Sequence, residues 1–186
     1  MRAGSVLMAG LLVSCAVPAA SAASATAFDP VAVDLADVMA CKIDGRDYLG
    51  FVLTISDEDS PGSAKARGWV KLPSRSLFFS SYRLPKPVSA FGYTTSTVAF
   101  TGSAMLAVLD IPDASALGAA QGVTNLLEGS GQFKGERIVD ESTSIDPESG
   151  YGFKNRSALQ IATNAAFPGK TLIGCSYRGE IRLPES

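Results

Sequence analysis

Cys41 and Cys175 constrain this chain more than any other two residues. Of its three cysteines, Cys15 falls in an N-terminal segment that reads as an export signal, which leaves two for the folded part. Two cysteines in an exported domain read as one disulfide. That bond would tie the first ordered element to the last strand across about 135 residues, a constraint worth up to roughly 5 kcal/mol in the chain-entropy picture. A metal site is a poor reading of two cysteines in a chain with no histidine.

The export reading rests on the first residues. Met1-Arg2-Ala3-Gly4-Ser5 is a short positive start, Val6 to Val17 an apolar run, and Ala20-Ser21-Ala22 a small-residue ending. Together these make a secretory signal cleaved after Ala22, with Ala25 as a second option. The run is too short for a membrane span, which needs about 20 apolar residues. Leu12-Val13-Ser14-Cys15 offers a rival exit: it has the form of a bacterial lipobox, in which Cys15 becomes an acylated N-terminus. The expected organisation is a signal peptide at 1–22, an N-terminal tether at 23–29 and a single domain at 30–186. The expected location is the periplasm or the medium, with an envelope lipoprotein as the alternative.

Residues 23–186 are enough for one domain with its own core. They hold fifteen basic against eighteen acidic residues, with the basic ones scattered singly. Nucleic acid is therefore not an expected partner, since it calls for a clustered positive face.

Asp29-Pro30 reads as a helix entry, followed by Val31, Leu35, Val38 and Met39 on one stripe as far as Cys41. Asp44 with Asp47 suggests a second helix over 47–55, although Tyr48, Phe51, Val52 and Ile55 suit a strand equally; helix is favoured. Strands are expected at 69–72, 77–83, 88–93, 96–101 and 104–110, punctuated by Pro73, Pro85, Pro87 and Gly102. Residues 105–109 are apolar on both faces and predict a central, covered strand. Asp113 caps a helix expected over 114–127, and strands follow at 133–141, 156–163 and 171–182. In the last, Ile173, Cys175, Tyr177 and Ile181 share one face, so Cys175 points toward the helix that ends at Cys41. The expected fold class is α+β: a mostly antiparallel sheet with two or three helices packed on it and a single disulfide.

The chemistry that is missing narrows the function. Without histidine there is no Ser-His-Asp or Cys-His nucleophile, and Ser-x-x-Lys and phosphate-loop motifs are missing as well. No cofactor or metal is implied. Asp57-Glu58-Asp59 with Gly62 has the start of a calcium loop, but Gly68 stands where the bidentate Glu belongs, so a solvated acidic loop is expected. Asp140-Glu141 and Asp146 with Glu148 are the carboxylates available to a hydrolase. Leu77-Phe78-Phe79 puts aromatics on opposite faces of its expected strand. With Trp69, Phe78 and Phe79 form the candidate interaction surface.

Ala40-Cys41-Lys42, Asp47-Tyr48, Trp69, Phe91-Gly92 and the run Gly169-Lys170-Thr171-Leu172-Ile173-Gly174-Cys175-Ser176-Tyr177 resemble a group of small secreted proteobacterial proteins of unknown activity. The resemblance implies export and the staple and assigns no catalytic residue. The expected function is a non-enzymatic interaction or inhibitor-type module of the bacterial envelope with a protein partner. The alternatives are a carrier of a small apolar or lipidic ligand and a carboxylate hydrolase. Membrane contact is expected only through the signal segment or acylated Cys15.

Overall fold

The first helix begins later than its sequence suggests. Asp29 caps only a turn, accepting from the Val31 N–H at 2.9 Å, and Asp34 instead caps α1 (Leu35–Met39) by accepting from Ala36. The computed structural model describes residues 28–74, 76–145 and 147–183, so the signal segment and Cys15 lie outside the described residues. Helix α1 ends in a left-handed turn at Cys41 (φ 59°), where Cys41 N–H reaches the Val38 carbonyl and Lys42 N–H the Asp37 carbonyl. That pairing closes a helix C-terminus in the way usually given to glycine.

The ambiguous stretch is helical. Asp44 accepts from the Asp47 N–H at 2.8 Å and starts α2 (Gly45–Ser56). Tyr48, Phe51 and Ile55 then return on one buried face. Helix α3 (Ala114–Gln121) is shorter than expected because Gly122 takes a left-handed conformation (φ 64°) and stops it. Gly118 serves packing instead. A β-carbon there would run into the Phe133 ring, so the glycine lets helix and ring approach closely.

Seven strands form one antiparallel sheet: β1 (Val70–Lys71), β2 (Ser80–Ala90), β3 (Tyr93–Thr101), β4 (Ala104–Leu109), β5 (Lys134–Ile145), β6 (Gly152–Thr163) and β7 (Thr171–Arg182). Their order is β1-β2-β3-β4-β7-β6-β5, so the last strand sits between the β1–β4 meander and the β5–β6 hairpin. Strand β4 is central and buried along its whole length, as its apolar run predicts. The expected strands at 77–83 and 88–93 are instead the single strand β2. Pro85 and Pro87 lie inside it because β1 pairs only as far as Arg83, leaving those positions on an open edge with no ladder bond to lose. At the other edge, β5 carries a bulge between Ile138 and Asp140. Bulges and edge prolines both discourage another chain from adding a strand.

All three helices contribute to the core on one face of the sheet, with Val38, Met39, Phe51, Leu117, Met105, Leu159, Ile161 and Ile173 packed there. On the opposite face a smaller cluster gathers Ala99, Leu106, Val108 and Leu172 beneath Phe79 and Phe167. Cys41 and Cys175 are bonded, with Cα atoms 5.1 Å apart. Beside the bond, the Tyr177 hydroxyl donates to the Val38 carbonyl at 2.5 Å and its ring stacks on Tyr48 at 4.4 Å. Burial pushes both phenols above their ordinary range. The disulfide is compatible with an oxidising, extracytoplasmic location. Among the described residues, no helix is long and apolar enough to cross a membrane.

Candidate functional site

The three residues expected to share an interaction surface are split by the fold. Trp69 is a core residue, 8% exposed, with its ring 6.1 Å from Phe100 and 5.8 Å from Tyr82. Phe79 is half-buried on the opposite sheet face, edge-on to Phe167 at 5.3 Å. Only Phe78 stands in water. Leu77 and Phe78 do not alternate across a strand; they occupy a turn before β2 and are 102% and 82% exposed. The turn is local in origin: Ser76 Oγ accepts from the Phe78 N–H at 3.1 Å, and Ser74 Oγ donates to the Phe79 carbonyl at 2.9 Å.

Helix α2 extends this surface. Tyr48, Phe51 and Ile55 face the core, whereas Leu49 and Leu53, four residues apart, are 55% and 62% exposed on the outward side. Val52 lies between the two faces. It lines a groove of about 260 Å³ with Ile55, Ser56, Leu77, Phe78, Tyr82, Phe100 and Gly102. Gly102 also lines a second cleft, of about 490 Å³, at the N-terminal end of α2. There Leu49 and Tyr48 form one wall and Phe153, Asn155 and Gly179 the other. This cleft exists because the far ends of β5, β6 and β7 run on past the helices that cover their near ends; β7 is buried through Tyr177 and exposed from Arg178. The two depressions meet at Gly102 and flank α2, the first between Phe78 and Val52 and the second between Leu49 and Phe153, with Asp44, Arg46 and Arg178 also lining the second.

Two polar side chains at the second depression have structural partners. Asp44 is engaged in capping α2, and the Tyr48 hydroxyl donates to the Thr101 carbonyl at 3.3 Å. Of the carboxylates considered for hydrolysis, Asp140 and Glu141 line neither depression. Asp140 and Glu141 are opposite Ser157 and Arg156 in the ladder, so their side chains leave opposite faces of the sheet. Glu141 pairs with Lys154 at 2.9 Å, and the hydrogen bond from that ammonium holds its carboxyl below the usual range. Asp146 lies outside the described residues. Nearby, Glu136 bridges Arg156 at 2.6 Å and Arg178 at 3.1 Å, tying three strands together. Among the described residues, no three Cys, Asp or Glu side chains are grouped to hold a metal.

Leu49 and Leu53 were legible as helix residues but not as surface. The signal was present: Tyr48-Leu49-Gly50-Phe51-Val52-Leu53 is apolar around the whole helix, although α2 meets the sheet on one side only. Comparison with known proteins finds no matching family model, no similar curated protein and no similar solved structure.

Proposed function

We propose that this protein is an exported, non-enzymatic docking module of the bacterial envelope, which captures a partner protein where the exposed Leu77 and Phe78 meet α2. The observation that carries the reading is the consecutive exposure of Leu77 and Phe78 at a groove that Val52 and Ile55 of α2 also line. Isolated apolar side chains on a surface need no explanation, but a contiguous set flanking a groove marks an interaction site. Fully burying residues of this size is worth about 1.5–3 kcal/mol each. Two or three such anchors therefore suffice for a hot spot. The disulfide supports the same reading by fixing the scaffold in an oxidising compartment. A small-ligand carrier is less well supported, because the space between helices and sheet is filled by Phe51, Met39, Met105 and Leu159.

The test is a photo-crosslinking amino acid placed at Phe78, at Leu53 and, as a control, at Lys86 on the proline-bearing edge. Irradiation in the native envelope should give the same discrete adduct from positions 78 and 53 and none from 86. Adducts at all three positions, or different adducts at 78 and 53, would remove the case for a shared docking surface. Intact mass of the protein from the same envelope tests export: the expected chain begins at Ala23 or at an acylated Cys15, and one beginning at Met1 refutes it.

A further inference from the structure

We infer that a cleft on the other face of the sheet, away from the helices, binds an acidic saccharide: a pyranose ring that carries a carboxylate. The cleft measures about 710 Å³, a size within the range of roughly 300–1,000 Å³ that small-ligand sites occupy.

Two irregularities of the ladder open it. Arg83 pairs with Thr97 and Val88 with Thr95, so residues 84–87 of β2 stand opposite Ser96 alone. Pairing of β3 with β4 stops at Val98 and Ala107, and beyond it the Thr95 hydroxyl donates to the Val108 carbonyl at 2.7 Å. The strands therefore part at this corner of the sheet. Ser81, Arg83 and Thr97 leave it on the same face as Ala99 and Val108, which belong to the smaller cluster beneath Phe79 and Phe167.

The lining is polar where ligand sites are usually apolar. Ser81, Ser96 and Thr97 bring hydroxyls that bond to no described residue, and Ser81 is only 4% exposed. Buried hydroxyls normally have a partner, and a sugar hydroxyl can both donate to and accept from this one. Charge supplies the acid. Lys170 and Asp110 pair with each other at the cleft, whereas Arg83 forms no ion pair with a described residue. One positive charge is thus uncompensated, on a guanidinium whose fork fits a carboxylate bidentately. Tyr93, 38% exposed, and Phe167 also line the cleft and provide ring surface for the apolar face of a pyranose. A bare anion would leave the hydroxyls and rings unused. An apolar ligand would desolvate Arg83 and Ser81 without replacing their hydrogen bonds.

The experiment titrates the disulfide-bonded protein with trimers of galacturonate, mannuronate and guluronate and maps the amide shifts by NMR. Maltotriose and sodium acetate serve as comparisons. At least one uronate trimer should bind, with shifts at Ser81, Arg83, Ser96 and Thr97, and maltotriose and acetate should each bind at least tenfold more weakly. R83Q, whose side chain is exposed and spares the fold, should lose on the order of tenfold in affinity, as removal of a charged bidentate pair does. R83K should recover only part of that loss, because it restores the charge without the fork. Equal binding of maltotriose would overturn the carboxylate, and equal binding of acetate would overturn the saccharide. Undiminished binding in R83Q, or shifts confined to α2 and the Phe78 turn, would overturn this cleft as the site. Failure of all three uronates would overturn the inference as a whole and leave the docking reading untouched.

Discussion

Removing the Cys41–Cys175 bond tests most directly how this fold is held. The bond closes a loop of 134 residues. The chain-entropy relation gives a loss of about 17 cal/mol/K from the unfolded ensemble for that length, or about 5 kcal/mol at 25 °C. Total stabilities of such domains are about 5–15 kcal/mol, so the bond is a large share of what this one has. The perturbation should be C41A/C175A, because serines would leave two hydroxyls unsatisfied: Cys175 is fully buried and Cys41 nearly so. Alanine and cysteine carry the same left-handed strain at position 41 and its cost therefore cancels. With an m-value of about 2 kcal/mol/M, urea titration followed by Tyr and Trp fluorescence should show the midpoint falling by about 2.5 M. The oxidised wild type treated with reductant should fall by a similar amount. A shift below about 0.5 M in both, equivalent to roughly 1 kcal/mol, would refute the loop-entropy reasoning and mean that the unfolded chain is already restrained near these two segments.

Packing and titration give three further expectations. G118A should destabilise by about 1–3 kcal/mol despite alanine's better helix propensity, because the new methyl meets the Phe133 ring; G174A should be worse, since its β-carbon meets the Met105 carbonyl of β4, and thermal melts of both would check the order. W69A should lower stability by about 3–5 kcal/mol, whereas F78S should leave the melting temperature within error and abolish docking; similar melting losses in both would place Phe78 in the core. Tyr48 and Tyr177 stay protonated in the fold above the ordinary phenol value of 10.0, so their contribution is complete below about pH 10 and declines as pH rises past it. A urea midpoint that stays level above that pH in wild type would contradict their burial, and Y177F should flatten the alkaline limb.

The sheet was legible where strands follow simple alternation. The Ile173, Cys175 and Tyr177 face and the two-sided apolar run of β4 predicted both the centre of the sheet and the cysteine pairing. Misreadings came where tertiary context outweighed a local signal. Proline is a strand breaker only where a ladder bond is at stake, and at Pro85 and Pro87 none was. Leu77 and Phe78 have strong strand preference, but the hydroxyls of Ser74 and Ser76 just before them close a turn around them. The candidate surface suffered for the same reason. A sequence reports that Trp69, Phe78 and Phe79 are large and apolar, while burial is decided by where the hairpins and Phe167 fall.

The position of β7 has a consequence for how the chain comes to be folded at all. It is paired on both sides, to β4 and to β6, while the two groups it joins share no other ladder. Until its residues arrive, the chain holds a four-strand meander and a lone hairpin that lack their central connection, and Cys41 lacks its partner. A nascent or translocating chain therefore has no complete intermediate in which to rest, and ordering is deferred until nearly its whole length has emerged. The same position also delays the chemistry: Cys41 has no partner thiol in the fold until Cys175 on this last strand has emerged.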